Sequence, residues 1–377
     1  MKQVDVLVRG AGIVGQSLAL ALGRLGLQVT ICPEAPRANA APDVRAYALN
    51  AASVNLLRQL KVWDALPPHA ATPVYDMHVQ GDAGEGAAPG TIDFSAWEQQ
   101  VGELAWIVDA PVLERELAAA VRFAPHVERL APDGAATVKA TLTALCEGKA
   151  SPTREAIGVA FERHDYGHSA IAARLVAERP HQGLARQWFR SPDVLALLPF
   201  DAPRADASYA LVWSLPRERA QALLALEPAA FEAELQAATR GEAGPLALAS
   251  ERAAWPLMIA KAEAWCGPGW VLLGDAAHVV HPLAGQGLNL GLGDVATLAR
   301  VIAEREAWRP LDDPKLLRRY ERERLAPTWA MGRLTDGLLH LFAHPAPVAR
   351  ELRNRGLTLV NRLTLVKRWL TARALDA

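Results

Sequence analysis

The sequence predicts an α/β fold made of a doubly wound unit, an inserted antiparallel region and a helical C-terminal region. Three observations lead there. A β-branched run from Val4 to Val8 ends in the turn Gly10-Ala11-Gly12-Ile13-Val14-Gly15, and a helix-periodic run follows it. Residues 67–105 and 160–260 are cut by Pro, Gly and Asp into short strand-like pieces. From Leu325 onward the pattern is helical, with a break at Pro345 to Pro347.

Each element has its own signal. Val4 to Val8 reads as a buried strand. Ile13 to Leu25 carries Ala and Leu at helical spacing, and Gly26 closes that helix. Leu27 to Cys32 reads as a second strand, completing the strand–turn–helix–strand opening of a doubly wound sheet. Ala48 to Leu66 is predicted helical, with Leu56, Leu57, Leu60 and Val62 on its apolar face. Val112 to Phe123 is a further helix, and 124–150 gives the weakest signal. Strand-like Ala210 to Ser214 is followed by two Ala/Leu-rich helices, Arg217 to Leu226 and Ala229 to Ala238. Trp270 to Leu273 reads as a buried strand and Gln286 to Glu304 as a helix.

The bulk numbers set bounds. A length of 377 residues suits two intertwined domains, and 51% apolar residues suffice for a large core. Forty Lys and Arg against 41 Asp and Glu leave no global field to recruit nucleic acid. Cys32, Cys146 and Cys266 are scattered and form no CxxC pair, the pattern of free thiols in a reducing compartment. Asp5 and Arg9 interrupt any apolar leader, and no uninterrupted apolar run reaches the ~18 residues of a membrane span. The expectation is a soluble, cytoplasmic protein.

The first motif that carries chemistry is Gly10, Gly12 and Gly15. Its glycines permit a tight turn, close approach of the backbone to a pyrophosphate, and packing of helix on strand. The helix N-terminus then offers N–H groups and a positive dipole end to the phosphates. An acid should follow about 20 residues on, to grip the ribose hydroxyls. Pro33 falls on that place, so Glu34, one step later, is the candidate.

The second motif runs from Gly267 to Asp294 and includes Gly274-Asp275, His278, His281-Pro282, Gly285-Gln286-Gly287-Leu288-Asn289, Gly291 and Gly293. It reads as a strand, an acid at the strand end, a Pro/Gly loop and a helix beginning at Gln286-Gly287. Asp275 is placed to accept hydrogen bonds from a polyol. The helix end suits a developing negative charge, such as the pyrimidine edge of a reduced flavin.

This second motif closely resembles that of the para-hydroxybenzoate hydroxylase-like flavin monooxygenases, and more narrowly that of the ubiquinone-biosynthesis hydroxylases. Further stretches agree: Asp43 to Asn50 with Ser53, Val62-Trp63, Ile92 to Phe94, Trp106 to Asp109, Phe161 to Tyr166, Arg179 to Gly183, and Leu352 to Asn354 with Gly356-Leu357. The resemblance covers most of the chain and fades across about 120–145. It implies a Rossmann-like, glutathione-reductase-like FAD domain over 1–70, 106–157 and 263–330. An antiparallel substrate domain would occupy 71–105 and 158–262, and a helical C-terminal region 331–377. FAD is the implied cofactor, NAD(P)H and O₂ the co-substrates, and hydroxylation of an aromatic ring the activity. A prenylated phenol or quinol of ubiquinone biosynthesis is the implied substrate. By the same resemblance Gly10, Gly12, Gly15, Glu34, Arg45, Gly274, Asp275, Gly287, Leu288 and Asn289 bind the cofactor. Arg45 would reach the ribityl–pyrophosphate region, and Pro282, Gly285, Gln286 and Gly287 would line the flavin where oxygen reacts. Read alone, Arg45 fits a surface ion pair equally well.

The resemblance has departures. The middle motif, an Asp-Gly pair in the family, aligns with Glu147-Gly148 within 146–154, and the segment before it is short. These features and Pro33 keep open a second reading, an FAD-binding member that serves as a scaffold for partner enzymes. A hydroxylase of a soluble aromatic acid is a third. His278 and His281 stand at a ligand-like spacing, but no further ligands accompany them, which argues against a metal. The segment 350–377 carries seven Lys and Arg against two acids. It reads either as a solvated face packed on the flavin domain or as a surface for an anionic membrane, peripheral at the inner membrane, or for an assembly of ubiquinone-pathway (Ubi) enzymes.

Overall fold

The structure, a computed structural model, describes residues 2–34, 43–82, 89–132, 134–280 and 286–343; of Gln286 and 330–343 it describes the backbone alone. Strands and helices carry numbers in chain order. One sheet has six strands in the spatial order β16 (Cys266–Gly267), β17 (Trp270–Leu272), β9 (Val138–Leu145), β1 (Lys2–Arg9), β2 (Val29–Cys32) and β8 (Val127–Arg129). Every pair in it is parallel except β16 with β17. Parallel neighbours need crossover connections, and their helices cover the sheet. Helices α1 (Ile13–Arg24), α4 (Ala110–Phe123) and α8 (Gln286–Ala303) do this. They bury Leu18, Leu22, Leu113, Leu117, Leu292 and Leu298 against Val6, Ile31 and Leu142. Strand β2 consequently has no exposed position.

Two local expectations are corrected. The helix predicted over 48–66 is broken, because Ala48 and Leu49 belong to strand β3 (Ala46–Leu49) and only Ala51–Gln59 forms α2. Asn50 decides the boundary: its side chain accepts from the Ser53 amide at 2.9 Å, a capping bond that forbids helix on its N-terminal side. The weak stretch 124–150 holds β8 and β9, and β9 lies between β1 and β17 in the middle of the sheet. Its sequence, VKATLTAL, lacks the apolar run of a central strand. Neighbours on both edges, rather than propensity, make it one.

Strands β3, β7 (Ala105–Asp109) and β4 (Ala71–Val74) pair in that order in a small sheet. The largest sheet has nine strands. Its order is β18 (His278–Val279), β15 (Ala253–Ala262), β10 (Phe161–Ala177), β13 (Ser208–Pro216), β12 (Asp193–Phe200), β11 (Leu184–Arg190), β5 (Asp76–Gln80) and β6 (Thr91–Ser95), with β14 (Leu246–Leu248) beside β10. The expected antiparallel pairing has one exception, since β5 runs parallel to β11. Helices α6 (Arg217–Leu224) and α7 (Pro228–Thr239) pack on this sheet around Trp213, Phe231 and Leu235. Short helices α3 (Ala96–Gln99) and α5 (Pro152–Ala156) fill connections. The C-terminal helix begins earlier than expected, as α9 (Pro314–Ala343), where Asp313 accepts from the Leu316 amide at 3.0 Å. The basic segment 350–377 lies outside the described residues. Among the described residues no helix is long and apolar enough to cross a membrane.

Candidate cofactor-binding site

The glycine turn is built by strand ends. The Gly10 amide donates to the Cys32 carbonyl at 2.9 Å, and the Cys146 amide donates to the Arg9 carbonyl at 2.7 Å. Ends of β1, β2 and β9 therefore stop level. Gly10 has φ +99°, and a Cβ there would come within 2.3 Å of the Cys146 carbonyl oxygen. A Cβ at Gly15 would lie 2.0 Å from the Gly10 oxygen. Packing demands both glycines. Gly12 differs, because a Cβ there would meet nothing within 4 Å. It is the N-cap of α1 and has no side chain to satisfy the helix's leading amides. An open cradle at a positive helix end fits the pyrophosphate of a dinucleotide. Glu34 is exposed two residues past β2.

The second motif meets the first through Val14. A Cβ on Gly274 would lie 3.2 Å from a Val14 methyl, and one on Gly291 2.7 Å from it. The missing side chains thus let α8 and the turn after β17 close onto α1. Asp275 follows in that turn (Gly274–Ala276). Its side chain is exposed to solvent. Protein nevertheless crowds it enough that desolvation raises its carboxyl above the ordinary range, against the opposing charges of His278, Lys149 and Arg45. A carboxylate both accessible and hemmed in lines a cleft, and that is the fit for a polyol chain lying over it.

The α8 N-terminus stands beside this turn. Gly287 is half-buried, with nothing within 4 Å of where its Cβ would be, and Leu288 is buried. The Asn289 side chain is committed to protein: it accepts from the Asn50 amide (3.1 Å) and Ser53 hydroxyl (2.7 Å) and donates to the Ala48 carbonyl (2.8 Å). The Asn289 side chain thereby ties the start of α8 to β3 and α2. His281, Pro282 and Gly285 lie outside the described residues, as does the side chain of Gln286.

Arg45 is held at the cleft by Asp43, to which its guanidinium donates at 2.6 and 2.8 Å, and by the Tyr47 hydroxyl at 2.8 Å. Arg45 thus forms the ion pair that its sequence allows, and its charge also acts on Asp275. Burial pushes the Tyr47 phenol up to about 12, so it stays neutral as it accepts from Arg45.

Sequence reasoning passed over the residues that brace this site. Asp294, fully buried in α8, accepts from the Gly274 amide (2.9 Å), His278 Nε2 (2.7 Å) and Arg324 Nε (2.7 Å). Burial favours its neutral form, but His278 and Arg324 outweigh that and hold it below the usual carboxylate range. His278 also stacks on Trp265, so its imidazole is spent on structure. One signal was available: Asp294 is the only charged residue in the apolar run from 282 to 299. Glu147, which replaced an expected Asp, is buried and accepts from Arg9 (2.8 Å), the Ser151 hydroxyl (2.6 Å), and the Thr153 amide (3.1 Å) and hydroxyl (2.7 Å). The longer acid is fully bonded. Buried Arg154 beside it donates to the Ala276 carbonyl at 2.9 Å, tying the middle motif to the Asp275 turn.

Comparison with known proteins agrees with this geometry. The family model described as FAD binding domain matches residues 3–335. The chain is 32% identical to the ubiquinone hydroxylase UbiL of Rhodospirillum rubrum, covering 97% of this chain and 88% of that protein. It is 30% identical to the 3-demethoxyubiquinol 3-hydroxylase of Escherichia coli, covering 97% and 96%. In fold it is similar to the p-nitrophenol 4-monooxygenase PnpA of Pseudomonas putida, with TM-score 0.77, 18% identity and 100% and 99% of the two chains covered. It is also similar to Klebsiella pneumoniae HpxO complexed with FAD, with TM-score 0.73, 17% identity and 99% of each chain covered. Three motifs far apart in sequence are brought together by these contacts, and the chain belongs to the FAD-dependent aromatic hydroxylases of this FAD-binding-domain family.

Proposed function

We propose that this hydroxylase acts on a prenylated phenol or quinol of ubiquinone biosynthesis, with NAD(P)H and O₂ as co-substrates. The observation that carries the reading is Asp275, accessible yet crowded, in a turn braced against α1 and α8. We assign Gly10, Gly12 and Gly15 to the pyrophosphate, Glu34 to the ribose, and Asp275 with Arg45 to the ribityl chain. Pro282, Gly285, Gln286 and Gly287 are assigned to the flavin ring, with the backbones of Leu288 and Asn289 behind them. The six-stranded sheet and its helices form the FAD unit over 1–70, 106–157 and 263–330. The nine-stranded sheet apart from β18 is assigned to the substrate unit, 71–105 and 158–262, and 331–377 to a C-terminal region.

Bound FAD would supply nicotinamide oxidation and oxygen activation. The protein's part is to bind, orient and exclude water. The α8 N-terminus favours negative charge beside it, and the Asp275 carboxylate accepts hydroxyl hydrogen bonds. A prenylated substrate partitions into lipid, so the protein would work in the cytoplasm at the inner-membrane surface, with the basic segment 350–377 facing anionic headgroups or partner enzymes.

The test presents a prenylated phenol in anionic vesicles under ¹⁸O₂. NAD(P)H oxidation should be slow alone and rise clearly with substrate, the full chain should float with the vesicles, and the product should gain one ¹⁸O atom. Oxygen drawn from water, or stimulation by soluble aromatic acids only, would overturn the assignment.

A further inference from the structure

We propose that Asp294 is a positioning residue for the cofactor-binding turn, and that helix α9 helps to hold the cofactor through it. This rests on the assignment of Asp275 to the FAD polyol. The geometry is specific. One oxygen of Asp294 takes the amide of Gly274, the residue before Asp275, and the imidazole of His278, three residues after it. The turn is thus gripped on both sides of its functional acid. The other oxygen takes Arg324, which comes from α9 and whose Nη2 also donates to the Leu290 carbonyl at 3.0 Å. Room for that guanidinium exists because residue 293 is glycine: a Cβ there would sit 2.9 Å from Arg324 Nη2.

Two more α9 side chains hold the chain ahead of the turn, one at β17 and one just before β16. The Tyr320 hydroxyl donates to the Leu272 carbonyl at 2.9 Å, and Glu321 accepts from the Trp265 amide at 3.0 Å. A single buried carboxylate is therefore the junction of three elements, and its three partners are a backbone amide, an imidazole and a guanidinium of the protein. A turn anchored in this way has one position available to Asp275. Without the anchor, the same carboxylate would explore several, and affinity would fall without any direct contact being lost.

The full-length apo-protein is titrated with FAD, following flavin fluorescence, for wild type, Asp275→Asn, Asp294→Asn and the double variant. Circular dichroism of each apo form checks folding. Asp294→Asn alone should weaken binding about tenfold, and in the Asp275→Asn background it should add little, because both act through one carboxylate. Arg324→Gln should weaken binding in the same direction and Arg324→Lys should recover most of it, which supplies the readout if Asp294→Asn does not fold. Additive losses for the two Asp variants, or unchanged affinity in both Asp294→Asn and Arg324→Gln, would overturn the inference. Wild-type affinity in Asp275→Asn would instead overturn the assignment beneath it.

Discussion

The glycines of the first motif separate two duties that a motif read as letters merges. Gly15 is needed by the fold, since its Cβ would overlap the Gly10 carbonyl, and neither backbone can yield. Gly12 is needed by nothing in the described protein, and its φ of −75° suits any residue. Gly12→Ala should therefore cost the apo-protein about 1 kcal/mol or less, the difference between Gly and Ala at an N-cap. It should still weaken FAD binding, because the methyl group enters the cradle. Gly15→Ala should lower the apo-protein's stability severely. Urea unfolding with and without FAD distinguishes the two, and equal apo stability in both variants would contradict the steric reading.

At the scale of elements, the turn joining β9 to α5 depends on Glu147. Four donors converge on this buried carboxylate, and Ser151, one of them, also caps α5 by accepting from the Arg154 amide at 3.2 Å. Glu147→Ala should destabilise the protein by about 2–4 kcal/mol, because a partly buried guanidinium and two hydroxyls lose their acceptor. Burial pushes this carboxyl up, but Ser151, Thr153 and Arg9 together bring it below the ordinary glutamate value of 4.5. A depressed folded value means that its contribution is complete above pH 4.5 and drains away as the pH falls through the folded value. Acid unfolding of wild type should therefore be steeper below pH 4.5 than that of Glu147→Gln, which denaturation midpoints across that range would show. Sequence periodicity found α1, α4 and α8 because each has one wide apolar face. It missed β9, whose identity depends on flanking strands, and it fused β3 with α2 because a single Asn cap separates them.

Over the whole molecule, Arg174 joins the nine-stranded sheet to the small sheet of β3, β7 and β4. It projects from β10, is buried, and donates to the Arg45 carbonyl (2.8 Å) and to Asp109 (3.3 Å), the acid that caps α4. Its guanidinium lies 4.1 Å from the Phe200 ring centre. One side chain of the nine-stranded sheet thus fixes the backbone that carries Arg45. Arg174→Met keeps the volume and removes the donors, so it should cost about 2–4 kcal/mol. FAD affinity should fall along with stability, and a variant that loses stability while binding FAD normally would show that the two sheets are uncoupled here.

The family and its chemistry were legible in the sequence, because they reside in local patterns: glycines at fixed spacing, a strand before them, an acid at a strand end, a helix after a loop. Each works through backbone geometry within about ten residues, so a linear reading reaches it. The bracing was not legible. Asp294 with Gly274, His278 and Arg324, Glu147 with Arg9, and Arg174 with Arg45 are contacts between residues far apart in the chain, and any of these side chains read alone passes for a solvated charge. Only burial makes them expensive to leave unpaired, and only the packed sheets and helices create that burial.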